Sequence, residues 1–420
     1  MAGYDKNPVG ALESLWNAKG HANPNIKQRL ESVGFVDAAG NWVGGSNPKV
    51  AKQLINDLLS STSGLPHGEV YVWRSHFASI INKADKTILP EAIVMDLKKQ
   101  GIKYAELQGG LPEGLSYGEF RKILEQHGVE VRFLEKVSTK RLTSGEGKNE
   151  IDKKINKGEI LSTEDKTNLA KVGENGVVGL DVAGPEGKEF TPAGMKRFEL
   201  MYGELAGKAE KLDGALVFRI HAGEGYLVQG ASGTSNHRDI AQSNVGHILD
   251  TIEGMAQQGT LSDKVIIRIG HATHASPAQL DRISLLEDKG VKIHVEANLT
   301  SNLVTGSVKN GEEQAQVLLR FLKHGVTPTL NTDGGGVMGT TLKEEYRLAG
   351  DIIDKFKENK LEITEGNIKY YSSELPSPKD RDPNFEYHLI SKKDRDNFDM
   401  GQVESESRKY AKQVIPNLHK

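Results

Sequence analysis

Short apolar runs recur along this chain, alternating with helix-spaced stretches, and several of them stop at a histidine or an acid. Gly101-Ile102-Lys103-Tyr104-Ala105-Glu106-Leu107 reads as one strand and Val129-Glu130-Val131-Arg132-Phe133-Leu134 as the next. Five more follow at 176–184, 215–221, 264–271, 291–296 and 326–333, with helical spacing over 191–211, 240–258, 277–289 and 312–324. Such alternation predicts βα units on a parallel sheet. Seven strands fall one short of a closed barrel. The expected fold is therefore α/β, a TIM-like (β/α)8 barrel whose first strand is missing or degenerate.

Around that barrel, expected over 65–364, the pattern changes. Residues 1–64 read as a helical N-terminal segment, with helix-spaced apolar positions at 11–16 and 50–59, and the helical spacing resumes over 73–98. A charged insertion at 137–170 reads as mobile. The segment 365–420 is polar and dotted with prolines, and Lys392-Lys393-Asp394-Arg395-Asp396 suggests a loosely packed extension with a solvated face.

Bulk properties exclude several classes. A net charge of -3 gives no electrostatic footprint for nucleic acid and no drive toward anionic membranes. No apolar run approaches the roughly 18 residues of a membrane span. The chain has no cysteine, so any metal must rest on His, Asp or Glu. Met1-Ala2-Gly3-Tyr4-Asp5-Lys6 carries no secretory apolar region, which makes cytoplasmic residence the expectation, with secretion by another route left open.

The polar residues that end the strands are Asp181 and Gly184, His221 and Glu224, His271, Glu296, then Asn331 and Asp333. Each alone reads better as a loop residue or a helix cap than as a functional group. Packing gives no reason for imidazoles and acids to collect at the same end of consecutive strands, whereas the C-terminal mouth of a barrel does, because chemistry is done there. A neutral imidazole can hold a divalent metal, and a carboxylate three residues on can move a proton to or from water that the metal activates.

These residues carry a resemblance. Gly179-Leu180-Asp181-Val182-Ala183-Gly184-Pro185-Glu186, His221-Ala222-Gly223-Glu224, Arg268-Ile269-Gly270-His271, Glu296-Ala297-Asn298-Leu299-Thr300-Ser301-Asn302 and Leu330-Asn331-Thr332-Asp333 resemble, in order, the motif series of the adenosine deaminase family. Within that family the adenosine-deaminase-related growth factor branch is the most similar. The resemblance implies hydrolytic, zinc-dependent deamination of adenosine or a related purine nucleoside. It makes His221 and Asp333 zinc ligands, Glu224 the proton donor to the purine ring nitrogen, and His271 the group that orients and deprotonates the attacking water. Gly184 would offer its backbone N–H to the purine. Growth-factor-type relatives pair through N-terminal helices, so residues 11–60 could serve a homodimer, although solvent-facing or lid helices read the same way.

Two departures open alternatives. The family's first strand carries His-x-His, which supplies two further zinc ligands, and this chain has no such motif; Val72 and Arg74 stand where an alternating stretch would put them. A strand absent by truncation or divergence would leave zinc with His221 and Asp333, and a deaminase-shaped binding module without metal becomes the second reading. After Asp333 the chain has Gly334-Gly335-Gly336 where the family has a further aspartate, which motivates a third: a metal hydrolase acting on some other amine or amide.

Overall fold

In a computed structural model of the full chain, the described residues are Glu31, 36–43, most of 90–108, and 115–414 apart from 144–159, 185, 226–236 and 334–339. The N-terminal helices, nearly all of the 73–98 helix, Val72, Arg74 and the Gly334–Gly336 run lie outside the described residues.

Seven parallel strands form one sheet in sequence order: β1 (Tyr104–Gln108), β2 (Glu130–Ser138), β3 (Val177–Ala183), β4 (Leu216–Ala222), β5 (Val265–His271), β6 (Ile293–Ala297) and β7 (Thr329–Leu330). Every residue of β4, β5 and β6 is buried. Strands covered on both faces need apolar side chains on both, so they appear in the sequence as runs and not as alternations. The connecting helices are α1 (Tyr117–Glu125), α2 (Thr163–Lys171), α3 (Pro192–Ala209), α4 (His237–Gln257), α5 (Pro277–Asp288), α6 (Leu299–Val304) and α7 (Gly311–Lys323). Their starts are written locally. Ser116 with Glu119, Ser162 with Asp165 and Ser276 with Gln279 each close a reciprocal capping box. Phe198 on α3 stacks on Phe218 of β4 with ring centroids 4.7 Å apart, which joins the helical layer to the sheet.

The sheet is curled into a half-barrel, and its interior ion pairs show how far. Arg268 on β5 pairs with Glu106 on β1, and Gln108 on β1 donates to Asp181 on β3 at 2.7 Å. In a flat sheet strands four apart would lie about 19 Å from one another, beyond the reach of any side-chain pair. The seven strands thus follow the barrel path that the sequence predicted. Among the described residues β1 pairs only with β2 and β7 only with β6, and a cavity of ≈ 320 Å³ lies between the two free edges, lined by Tyr104, Leu107, Leu330, Asp333, Tyr346 and Tyr410 among others.

Beyond the sheet come α8 (Leu342–Lys357), strands β8 (Ile363–Glu365), β9 (Ile368–Tyr371) and β10 (Glu386–Leu389), α9 (Lys392–Arg395) and α10 (Met400–Val414). The three short strands form a second sheet in the order β10-β9-β8. This region departs from the expectation of a loose extension. Val403, Tyr410 and Val414 on α10 are buried, the last two packing on Leu134, Val217 and Ile266 of the barrel strands. The Tyr410 hydroxyl donates to Glu106 at 3.2 Å, its ring lies 4.6 Å from the Arg268 guanidinium carbon, and Ala215 N–H donates to the Gln413 carbonyl at 3.0 Å. The 137–170 insertion also differs from expectation where it is described: β2 runs on to Ser138, and α2 is an ordered, capped helix.

Candidate active site

The strand ends bring the predicted residues together. His221 is the penultimate residue of β4 and His271 the last of β5, and parallel register pairs Ala222 with His271. Their rings stand 5.1 Å apart, centroid to centroid, in an edge-on arrangement. Asp333 follows β7, and a ligand atom from each of His221, His271 and Asp333 lies within 4.8 Å of the other two. Glu224, two residues beyond β4, puts Oε2 3.7 Å from His271 Nε2, while Asp333 Oδ2 lies 4.0 Å from the same nitrogen. Gly184 follows β3 at this end of the sheet with φ +140°, a conformation suited to glycine, and a Cβ there would come 2.9 Å from the Thr139 hydroxyl.

Backbone strain collects at the same place. His271, Ala272 and Asp333 all have positive φ, at +73°, +46° and +57°. Each costs on the order of 1–3 kcal/mol, a cost that persists only where the surrounding structure enforces the conformation. Asn302 Oδ1 lies 2.8 Å from His271 Nδ1, which suits an Nδ1–H donor and turns Nε2 toward Glu224 and Asp333. Ser301 donates its hydroxyl to Asp333 Oδ2 at 2.8 Å.

Below these residues runs a buried ionic layer that the sequence reading missed. Arg219 donates to Glu296 at 2.7 Å and to Asp181 at 3.0 Å, and its third nitrogen lies 3.9 Å from Asp333. Arg268 pairs with Glu296 at 2.8 Å as well as with Glu106. The two arginines are register partners on β4 and β5. The signal for them was present: each interrupts an apolar strand shortly before its histidine, where only a buried counter-charge could hold it. Carboxylates outnumber guanidiniums in this interior, a balance that favours a further cation.

The electrostatics separate the groups. Burial, with Arg219 and His271 adding to it, holds His221 well below the ordinary histidine range, so its imidazole is neutral. Burial also opposes a proton on His271, but Glu224 and Asp333 outweigh it and raise that pKa. Glu224 is raised by burial, with Asp333 adding and His271 opposing. For Asp333, burial pushes upward but His271, His221 and Arg219 hold the carboxyl low.

A divalent cation fits this arrangement. An imidazole nitrogen of His221 and a carboxylate oxygen of Asp333 are donors of the kind that catalytic zinc takes, and His271 lies beside both. His221 Nε2 is buried without a hydrogen-bond partner, which is unfavourable unless the nitrogen has a ligand to meet.

Comparison with known proteins decides the family. The family model for adenosine deaminase matches residues 69–379, most of the chain. The chain belongs to the adenosine deaminase family. It is 39% identical over 82 residues to adenosine deaminase of Escherichia coli (strain SE11), covering 20% of this chain and 23% of that one. To adenosine deaminase of Pseudoalteromonas translucida (strain TAC 125) it is 34% identical over 103 residues, covering 23% of this chain and 29% of the relative. The matched stretches thus span less than a third of these curated adenosine deaminases. Among solved structures, adenine deaminase from Arthrobacter aurescens is similar at 14% identity and a TM-score of 0.41, covering 82% of this chain and 84% of that one.

Proposed function

We propose that the chain catalyses zinc-dependent hydrolytic deamination of adenosine or a related purine nucleoside. The observation that carries this reading is the convergence of His221, His271 and Asp333 within 4.8 Å, with Glu224 facing His271 at 3.7 Å, in a chain of the adenosine deaminase family. His221 and Asp333 would hold the zinc, with His271 beside both and its Nε2 left free to act on the attacking water. Zinc bound there would supply Lewis-acid activation of water at neutral pH.

The remaining work falls to side chains. His271, with Nε2 turned into the site, takes the proton from the attacking water and orients it toward the amino-bearing ring carbon. Glu224 must begin protonated to act as a donor, and its raised pKa suits that role. It protonates the adjacent ring nitrogen as the carbon becomes tetrahedral. On collapse the C–N bond breaks, His271 gives its proton to the departing amino group as ammonia, and the hydroxyl proton passes to the Glu224 carboxylate, leaving the 6-oxo purine. Gly184, unencumbered by a side chain, offers its N–H to the purine edge.

The test is loss of adenosine absorbance with the full chain in the presence of Zn²⁺. Turnover is expected in the wild type. Glu224→Gln, nearly isosteric but without an acidic proton, is expected to lower kcat by at least about a thousandfold while leaving the melting temperature in place. Undiminished turnover in that variant would show that the proton comes from elsewhere.

A further inference from the structure

We propose that Glu186 is the positioning residue of the site: its carboxylate clamps the turn after β4 and so fixes where Glu224 points. The inference rests on the deaminase reading for its catalytic consequence, but the clamp itself rests on geometry alone. Glu186 is only 2% exposed. Its Oε2 accepts from Gly223 N–H at 2.8 Å and its Oε1 from Glu224 N–H at 3.2 Å.

Every other backbone polar group of that dipeptide is also engaged. The Gly223 carbonyl accepts from His274 N–H at 3.0 Å, and the Glu224 carbonyl accepts from the Ser307 hydroxyl. Two of the four bonds that define the turn therefore end on one side chain. Gly223 itself sits at φ +86°, and a Cβ there would come within 2.9 Å of the Ala272 backbone and of Val245, so the turn cannot be held by bulk at that position. An unpartnered buried N–H is costly, and Glu186 is the acceptor that both of these meet among the described residues.

An acid buried this deeply is a poor choice for packing alone, since burial penalises its charged form. Burial and the Glu224 carboxylate push Glu186 up to about 7, with the two N–H bonds acting in the opposite sense. Its charged form is accordingly held against an electrostatic cost. A glutamine in its place could accept through one oxygen only and would turn its NH₂ toward the other N–H. That substitution breaks one bond of the pair with almost no change of shape.

The experiment uses the full chain with zinc, comparing wild type, Glu186→Gln and Glu186→Asp. Hydrogen exchange of the peptide containing Gly223 and Glu224 is read by mass spectrometry, and kcat, KM and bound zinc are measured on the same samples. The expected result is strong protection of that peptide in the wild type and its loss in Glu186→Gln. With it, kcat should fall about a hundredfold, as for a group displaced by an ångström or so, while KM and zinc content hold. Glu186→Asp, which keeps the charge but draws it back, should lose protection too. Fast exchange in the wild type overturns the clamp even if neither variant folds. Unchanged protection in a folded Glu186→Gln also overturns it, as does lost protection with unaltered kcat, or a fall in kcat accompanied by loss of zinc. A wild type that is protected but turns over no purine nucleoside sinks the deaminase reading and leaves the clamp standing.

Discussion

Asp333 shows at the scale of one residue how function and stability compete. Its φ of +57° is a conformation that a side chain with a Cβ pays to adopt, and its carboxylate is tied to Ser301 and lies beside His271 and Arg219. Glycine would relieve the backbone and remove the ligand oxygen. Asp333→Gly is therefore expected to weaken zinc binding by more than about a hundredfold, since even indirect partners of a metal site are worth 10–100-fold. The melting temperature of the metal-free protein should stay level or rise, because strain of roughly 1–3 kcal/mol is released. Competition with a chromophoric chelator and a thermal melt decide it; unaltered zinc affinity would remove Asp333 from the ligand set.

Between elements, His324 ties α7 to the small C-terminal sheet. It lies 2.7 Å from Asp281 on α5 and 2.8 Å from Glu365 on β8, and Lys323 reaches Glu365 at 2.7 Å while lying 4.2 Å from the Tyr370 ring centroid. Burial works against the proton on His324, but the Glu365 and Asp281 carboxylates outweigh it and raise the pKa above 6.5. A raised histidine pKa adds stability that is fully present below the unfolded value and disappears as pH climbs through the folded one. His324→Gln should consequently lower the melting temperature more at about pH 5.5 than at about pH 8.5. An equal loss at both would mean that the histidine contributes by shape and not by charge. α10 makes a second tie of this kind, with Tyr410 reaching both Glu106 and Arg268 in the barrel interior.

Across the whole molecule, what could be read from sequence was what is local along the chain. The seven strands, the capped helix starts and the polar ends carrying His221, Glu224, His271 and Asp333 each leave a mark within a few residues of themselves. What could not be read depends on the curl of the sheet. Nothing near Arg268 announces Glu106, its partner across the barrel, and nothing in the sparse spacing of Val403, Tyr410 and Val414 tells that they cover Leu134, Val217 and Ile266. Charges such as Lys392 and Lys393 dominate the sequence of that region and hide a buried stripe. Glu186 was visible as part of a motif, yet its task appears only once β3 and β4 are side by side and the turn after β4 folds over its carboxylate.

The proposed activity turns on one cation held by His221 and Asp333 beside His271, in a sequence that carries no His-x-His motif. The direct measurement is zinc per chain by elemental analysis, after dialysis against zinc-free buffer, for the wild type and His221→Ala. About one zinc per wild-type chain and almost none in the variant is the expected outcome for a site in which His221 is a ligand. A wild type that retains no zinc, or a His221→Ala chain that retains as much, would contradict it.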